Sequence, residues 1–170
     1  MIVHTHQHYG RSSTNRIDQA RQPGTEGARM LVESFYYAFN QRDIALLDQV
    51  WADQELIQLN NPLGGILRGY EAIAKLYQRV FTGPASVSVE FRDVVEFQTD
   101  TMVAFAGRET GEFTRDGKSL ALSIRTSRII QWFGPDLGWR QVHHHGSIDD
   151  PRLLEEYQDA VRGTGRRSGG

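Results

Sequence analysis

The stretch GWRQVHHHGSIDDP, Gly138 to Pro151, places three consecutive histidines where an alternating segment runs into a helix start. An imidazole titrates nearest to neutral pH of all side chains, so it can move protons or, when neutral, bind a metal. On a strand, residues two apart share a face, so His143 and His145 go with Trp139 and Gln141, while His144 goes with Arg140 and Val142. The face carrying the large aromatic is read as the inner one. Three roles fit the pair. A metal site needs a further ligand such as Asp93, Glu109 or Glu112. An acid/base site has His145 or His143 as general base and Asp93 as its acidic partner. In the third role the rings only hydrogen-bond inside the fold or at a dimer face.

Asp93 enters because VSVEFRDVVEF alternates, with Val87, Val89, Phe91, Asp93, Val95 and Phe97 on one side. In SLALSIRTSRIIQWF, Arg128 lies on the apolar side with Leu122, Ile124 and Ile130, and Arg125 on the other. A carboxylate among apolar neighbours is costly unless paired, so Asp93 with Arg128 reads equally as an internal ion pair or as part of a reactive site.

The elements that must hold these residues follow from periodicity. Leu31, Phe35, Ala38 and Phe39 mark a first helix; Ile44, Leu47, Val50 and Trp51, behind an Asp43 N-cap, mark a second; Ile73, Leu76, Tyr77, Val80 and Phe81 mark a third, ended by Gly83-Pro84. A brief strand and turn chemistry at Asn61-Pro62 and Gly64-Gly65 lie between the last two. From about residue 86 the period becomes 2, with Asp116-Gly117 as a hairpin turn. Asp150 and Pro151 then open a terminal helix. The expected fold is α+β, a cone-shaped barrel of three N-terminal helices packed in a strongly curved, mainly antiparallel sheet, with a short C-terminal helix. Residues 27–162 form the domain, and residues 1–26 and 163–170 read as flexible tails. Histidines 4, 6 and 8 then alternate on a tail and carry no assigned site.

Lys plus Arg number 19 against 21 Asp plus Glu, which leaves no basic field for nucleic acid or an anionic membrane. The absence of cysteine excludes disulfides, thiolate nucleophiles and cysteine-ligated zinc. Without a long apolar run or a signal-like N-terminus, the expectation is a cytoplasmic protein.

Three segments carry a family resemblance: YYAFNQRDIALLDQVWAD, NNPLGGILRGYEAIAKLYQRVF, and TSRIIQWF followed by GWRQVHHHGS. Over about residues 28–150 the chain resembles the nuclear transport factor 2-like superfamily in its SnoaL-like, polyketide cyclase-like branch. The end of the chain also resembles the association domain of calcium/calmodulin-dependent protein kinase II, and that likeness implies that Arg108 and Arg128 line a carboxylate-binding pocket. The front resembles bacterial ketosteroid isomerase, but Phe35, Asn61 and the TSR segment stand where its catalytic groups are needed, and these cannot do its chemistry. The resemblance implies a central cavity for a small, anionic, carboxylated or hydroxylated ligand, clamped by Arg108 and Arg128 and contacted by Asn61, Tyr36, Trp51, Tyr77 and Trp139. It implies a homodimer through the outer sheet face, no cofactor and no metal. Any catalysis would be acid/base work of isomerase, cyclase, hydratase or hydrolase type; the alternative is an assembly module with a vestigial pocket.

Overall fold

The switch from helical to alternating periodicity is where the chain turns from core helices to the sheet that wraps them. The computed structural model describes residues 1–163. In chain order these are β1 (Ile2–Thr5), a single 3-10 turn (Gln19–Arg21), α1 (Thr25–Gln41), α2 (Ile44–Val50), β2 (Gln58–Asn60), β3 (Ile66–Arg68), α3 (Tyr70–Thr82), β4 (Ser86–Gln98), β5 (Met102–Arg115), β6 (Lys118–Trp132), β7 (Trp139–Ser147) and α4 (Pro151–Arg162). Local chemistry sets the boundaries. Arg42 closes α1 in the left-handed region, and the Asp43 carboxylate then accepts from the Leu46 N–H to start α2. Asp150 caps α4 in the same way with Pro151 in its first turn. Asp116 and Gly117, both at positive φ, make the two-residue turn between β5 and β6.

The sheet runs β1-β4-β5-β6-β7-β2-β3 and stays open, with short β1 and β3 at its edges. Every neighbouring pair is antiparallel except β2 with β7. The sheet curves about the helices, with α1 against β4, β6 and β7. No helix among the described residues is long and apolar enough to cross a membrane.

Two β-bulges redirect side chains. In β4 the register shifts between Arg92 and Val95, with Asp93 at φ 53°. Beyond it Val94 and Glu96 point inward and Phe97 is exposed, reversing the expected faces of Asp93, Val95 and Phe97. Gly107 makes room for this bulge, since a Cβ there would lie 2.6 Å from the Arg92 carbonyl oxygen. In β7 the register shifts where Ile129 faces His143 and Ile130 faces Gln141, so Val142 is the extra residue. Trp139 and Gln141 remain buried, but past the bulge it is His144 and Gly146 that turn inward, while His143 and His145 turn outward.

The first 26 residues, expected as a loose tail, are part of the fold. β1 pairs with β4 from Ile2–Phe97 to Thr5–Val94. Tyr9 exchanges backbone hydrogen bonds with Phe91 and stacks on Tyr36, and its ring is fully buried, as is Ala20. Edge pairing is made by backbone groups and needs no apolar period, so this stretch left no periodic signal. At the other end Gly163 closes α4 at positive φ; the rest of the expected C-terminal tail, 164–170, lies outside the described residues.

If Tyr9 is a core residue, Tyr9→Ala lowers the unfolding free energy in urea by about 3–5 kcal/mol, whereas a loss below about 1 kcal/mol would return the segment to the status of a tail.

Candidate functional site

A buried polar cluster forms the floor of the site. Arg128 of β6 is 1% exposed, and each guanidinium nitrogen has a protein partner. Nη2 donates to Glu109 Oε1 of β5 at 2.8 Å, Nη1 to Gln141 Oε1 of β7 at 2.8 Å, and Nε to the Tyr36 hydroxyl of α1 at 3.1 Å. The Tyr36 hydroxyl donates in turn to Glu109 Oε1 at 2.5 Å. The guanidinium carbon lies 3.7 Å from the centre of the Phe35 ring and 4.9 Å from that of Tyr36. Burial works to lower the Arg128 pKa, but Tyr36 and Glu109 outweigh it and hold the group firmly protonated. Burial likewise pushes the Tyr36 phenol well above its ordinary range.

Above this floor lies a cavity of about 370 Å³, within the size range of sites for small organic ligands. It sits between two apolar clusters: Phe35, Tyr77 and Val89 belong to the main core, and Phe113, Leu122, Ile124 and Tyr157 to a smaller one under α4. Exposed Arg79 near the end of α3, Pro84 just beyond it and Val161 of α4 form its rim. The buried residues of its lining that carry polar groups are Glu109, Arg128, His144 and Tyr77, while Asn61, Arg79 and Arg115 are more exposed.

His144 is the unusual one. It is 8% exposed, and neither ring nitrogen has a hydrogen-bond partner. It stands cross-strand from Arg128 and edge-on to Phe35. Burial first, then Arg128, His143 and His145, hold its pKa well below the ordinary imidazole value. The ring is therefore neutral at pH 7, with one donor and one acceptor unused. A buried polar side chain without partners is uncommon in folded proteins and marks a place where something else supplies them. The Tyr77 hydroxyl is also unpartnered; it neighbours the Trp51 indole N–H, outside hydrogen-bond geometry.

Residues 28–151 match the family model of the SnoaL-like domain. The chain belongs to the SnoaL-like family. Solved structures share its fold. A nuclear transport factor 2-like superfamily protein of Salmonella enterica superimposes with a TM-score of 0.66 at 17% identity, covering 89% of this chain and 98% of that one. A Streptomyces avermitilis protein provisionally assigned as a dehydratase of that family gives 0.64 at 18% identity over 72% and 94%. A Thiobacillus denitrificans protein provisionally assigned as a calcium/calmodulin-dependent protein kinase type II association domain gives 0.57 at 24% identity over 75% and 97%. No curated protein matches the sequence significantly.

In this SnoaL-like domain the residues singled out from sequence divide sharply. Arg128, Asn61 and Tyr77 line the cavity. Asn61 also organises its own turn, its side chain accepting from the Leu63 N–H. Tyr36 supports the floor from behind, and Trp51 and Trp139 are buried elsewhere, Trp139 donating to the Gln22 carbonyl. Arg108 does not join Arg128: it lies on the outer face, bound to Ser123 and Asp149. Asp93 is solvent-exposed at its bulge and meets His4 at 2.9 Å, so the acid beside Arg128 is Glu109 instead. His143 and His145 face outward, and burial with the neighbouring His145 lowers the His143 pKa. Among the described residues no cluster of three or more His, Asp or Glu is placed to hold a metal.

Glu109 had a readable signal. The β5 alternation Val103, Phe105, Gly107, Glu109, Gly111, Phe113 puts it on the inner face, and Arg108 on the outer one. His144 had none, because a bulge shifts the alternation without a compositional mark.

The neutral imidazole sets a pH dependence. In the unfolded chain His144 takes a proton below about pH 6.5, while burial prevents this in the native state, so stability falls as pH drops through that value. Between about pH 7.5 and 5.5 this group contributes a loss of about 1.4 kcal/mol, and urea titration of His144→Leu gives a correspondingly flatter profile. An unchanged profile would mean that His144 titrates normally in the fold.

Proposed function

We propose that this SnoaL-like domain binds a small, mainly apolar organic molecule in the cavity between its two clusters, with His144 as the polar group that meets it. The observation that carries this reading is His144, a buried imidazole that lines an apolar cavity while neither of its ring nitrogens has a partner in the protein. A cavity required only for assembly has no use for such a group, whose burial without partners costs stability. The assembly alternative would draw on the outer sheet face with Ser123, Arg125, Ser127 and His144, and the bulge in β7 removes His144 from that face by turning it inward.

The same imidazole is the candidate proton carrier, in place of His143, His145 and Asp93, which lie outside the cavity. Protonating it beside Arg128 is unfavourable unless the substrate develops negative charge in the same step, as an enolate or alkoxide does. Cofactor-independent isomerisation, cyclisation or dehydration therefore remains the reaction type proposed for this site.

Binding is tested with a neutral apolar fluorophore such as N-phenyl-1-naphthylamine. The protein is expected to take it up at one site with a blue shift, and Leu76→Trp, which fills the cavity while sparing His144, to weaken uptake at least about tenfold. No uptake, or uptake unaffected by the filling, would refute the reading.

A further inference from the structure

The floor of the cavity carries a definite charge and hydrogen-bonding polarity, and these select among ligands. Arg128 would be the obvious anion clamp, but its charge is matched by Glu109 at 2.8 Å and each of its nitrogens already serves Glu109, Gln141 or Tyr36. The net charge of the pair is therefore zero, and three of the five guanidinium N–H groups are spent on Glu109, Gln141 and Tyr36, leaving one on each Nη. Glu109 receives both of its hydrogen bonds, from Tyr36 and Arg128, on Oε1. Its Oε2 is left as an acceptor, and an ionised carboxylate can accept only. Beside it His144 contributes one further acceptor and one donor, neither engaged by the protein.

Resting on the cavity-binding reading above, we infer that the ligand is an uncharged, largely apolar molecule that presents a hydroxyl group to the Glu109–His144 floor. A hydroxyl can donate to Glu109 Oε2 and accept from the His144 N–H, whereas a ketone can use only the latter. At this floor a carboxylate would meet Glu109 with like charge in a poorly hydrated space, where such repulsion is weakly screened; the other cations of the lining, Arg79 and Arg115, are more exposed, and Arg115 is held by Asp116 and the Val161 carbonyl. Of the two chemistries the family resemblance implied, carboxylated and hydroxylated, the inferred ligand keeps the hydroxyl and drops the negative charge.

The test measures displacement of N-phenyl-1-naphthylamine at pH 7.5 by naphthalene, 2-naphthylmethanol, 2-acetylnaphthalene and 2-naphthoate, which share one apolar body. The alcohol is expected to bind tightest, at least about tenfold above the carboxylate and clearly above the ketone and the parent hydrocarbon. Glu109→Gln frees the Arg128 charge, so it should raise the affinity of 2-naphthoate and lower that of the alcohol, reversing their order. The wild-type order stands as a test even if that variant fails to fold. Equal or tighter binding of the carboxylate, or an alcohol no better than naphthalene, overturns the hydroxyl assignment while leaving the cavity as a binding site. Failure of the fluorophore itself to bind removes the binding reading, and this inference with it.

Discussion

The ion pair of Arg128 with Glu109 is the constraint on which the rest of the structure depends. Taking two charges out of water costs several kcal/mol per ion, and good geometry with further hydrogen bonds is needed to offset it. Here that geometry is supplied from four elements: β5 and β6 bring the charges, β7 brings Gln141, and α1 brings Tyr36 and the face of Phe35. The consequence is positional. α1 cannot slide along the sheet, nor β6 shift against β5, without leaving a charge buried and unpaired. An apolar set of the same volume would tolerate such movement, so what the pair contributes is register more than stability.

That register keeps the two apolar clusters apart. The main core closes around α1 to α3, while Phe113, Leu122, Ile124 and Tyr157 form a separate group under α4. The polar floor occupies the boundary between them. Side chains of the two clusters cannot close over it without desolvating it further, and the space that remains is the cavity. Its apolar walls and neutral but polar floor are thus two aspects of one arrangement.

The element order, the helix caps, the Asp116-Gly117 turn and the inward position of Arg128 could be read from local chemistry and period, because each depends on residues near in sequence. What could not be read depends on a single extra residue. A bulge at Asp93 and another at Val142 each shift the alternation by one, and every side chain beyond changes face. Asp93 was lost from the interior and His144 gained by this alone. The N-terminal strand was unreadable for a different reason: pairing at an edge uses amides and carbonyls, which every sequence has. For Arg108 the likeness to the association domain and the alternation of its own strand point opposite ways, and the fold follows the alternation.

The three histidines take on a different sense in this light. Three identical residues in a row look the same to the cavity whichever way the strand is phased: with the bulge His144 faces in, and with the bulge smoothed out the inner positions would pass to His143 and His145. An imidazole is presented in either case. The run acts as a built-in fault tolerance, so insertion or loss of one residue in β7 can change the phase of this strand during divergence without removing the chemistry at its inner end.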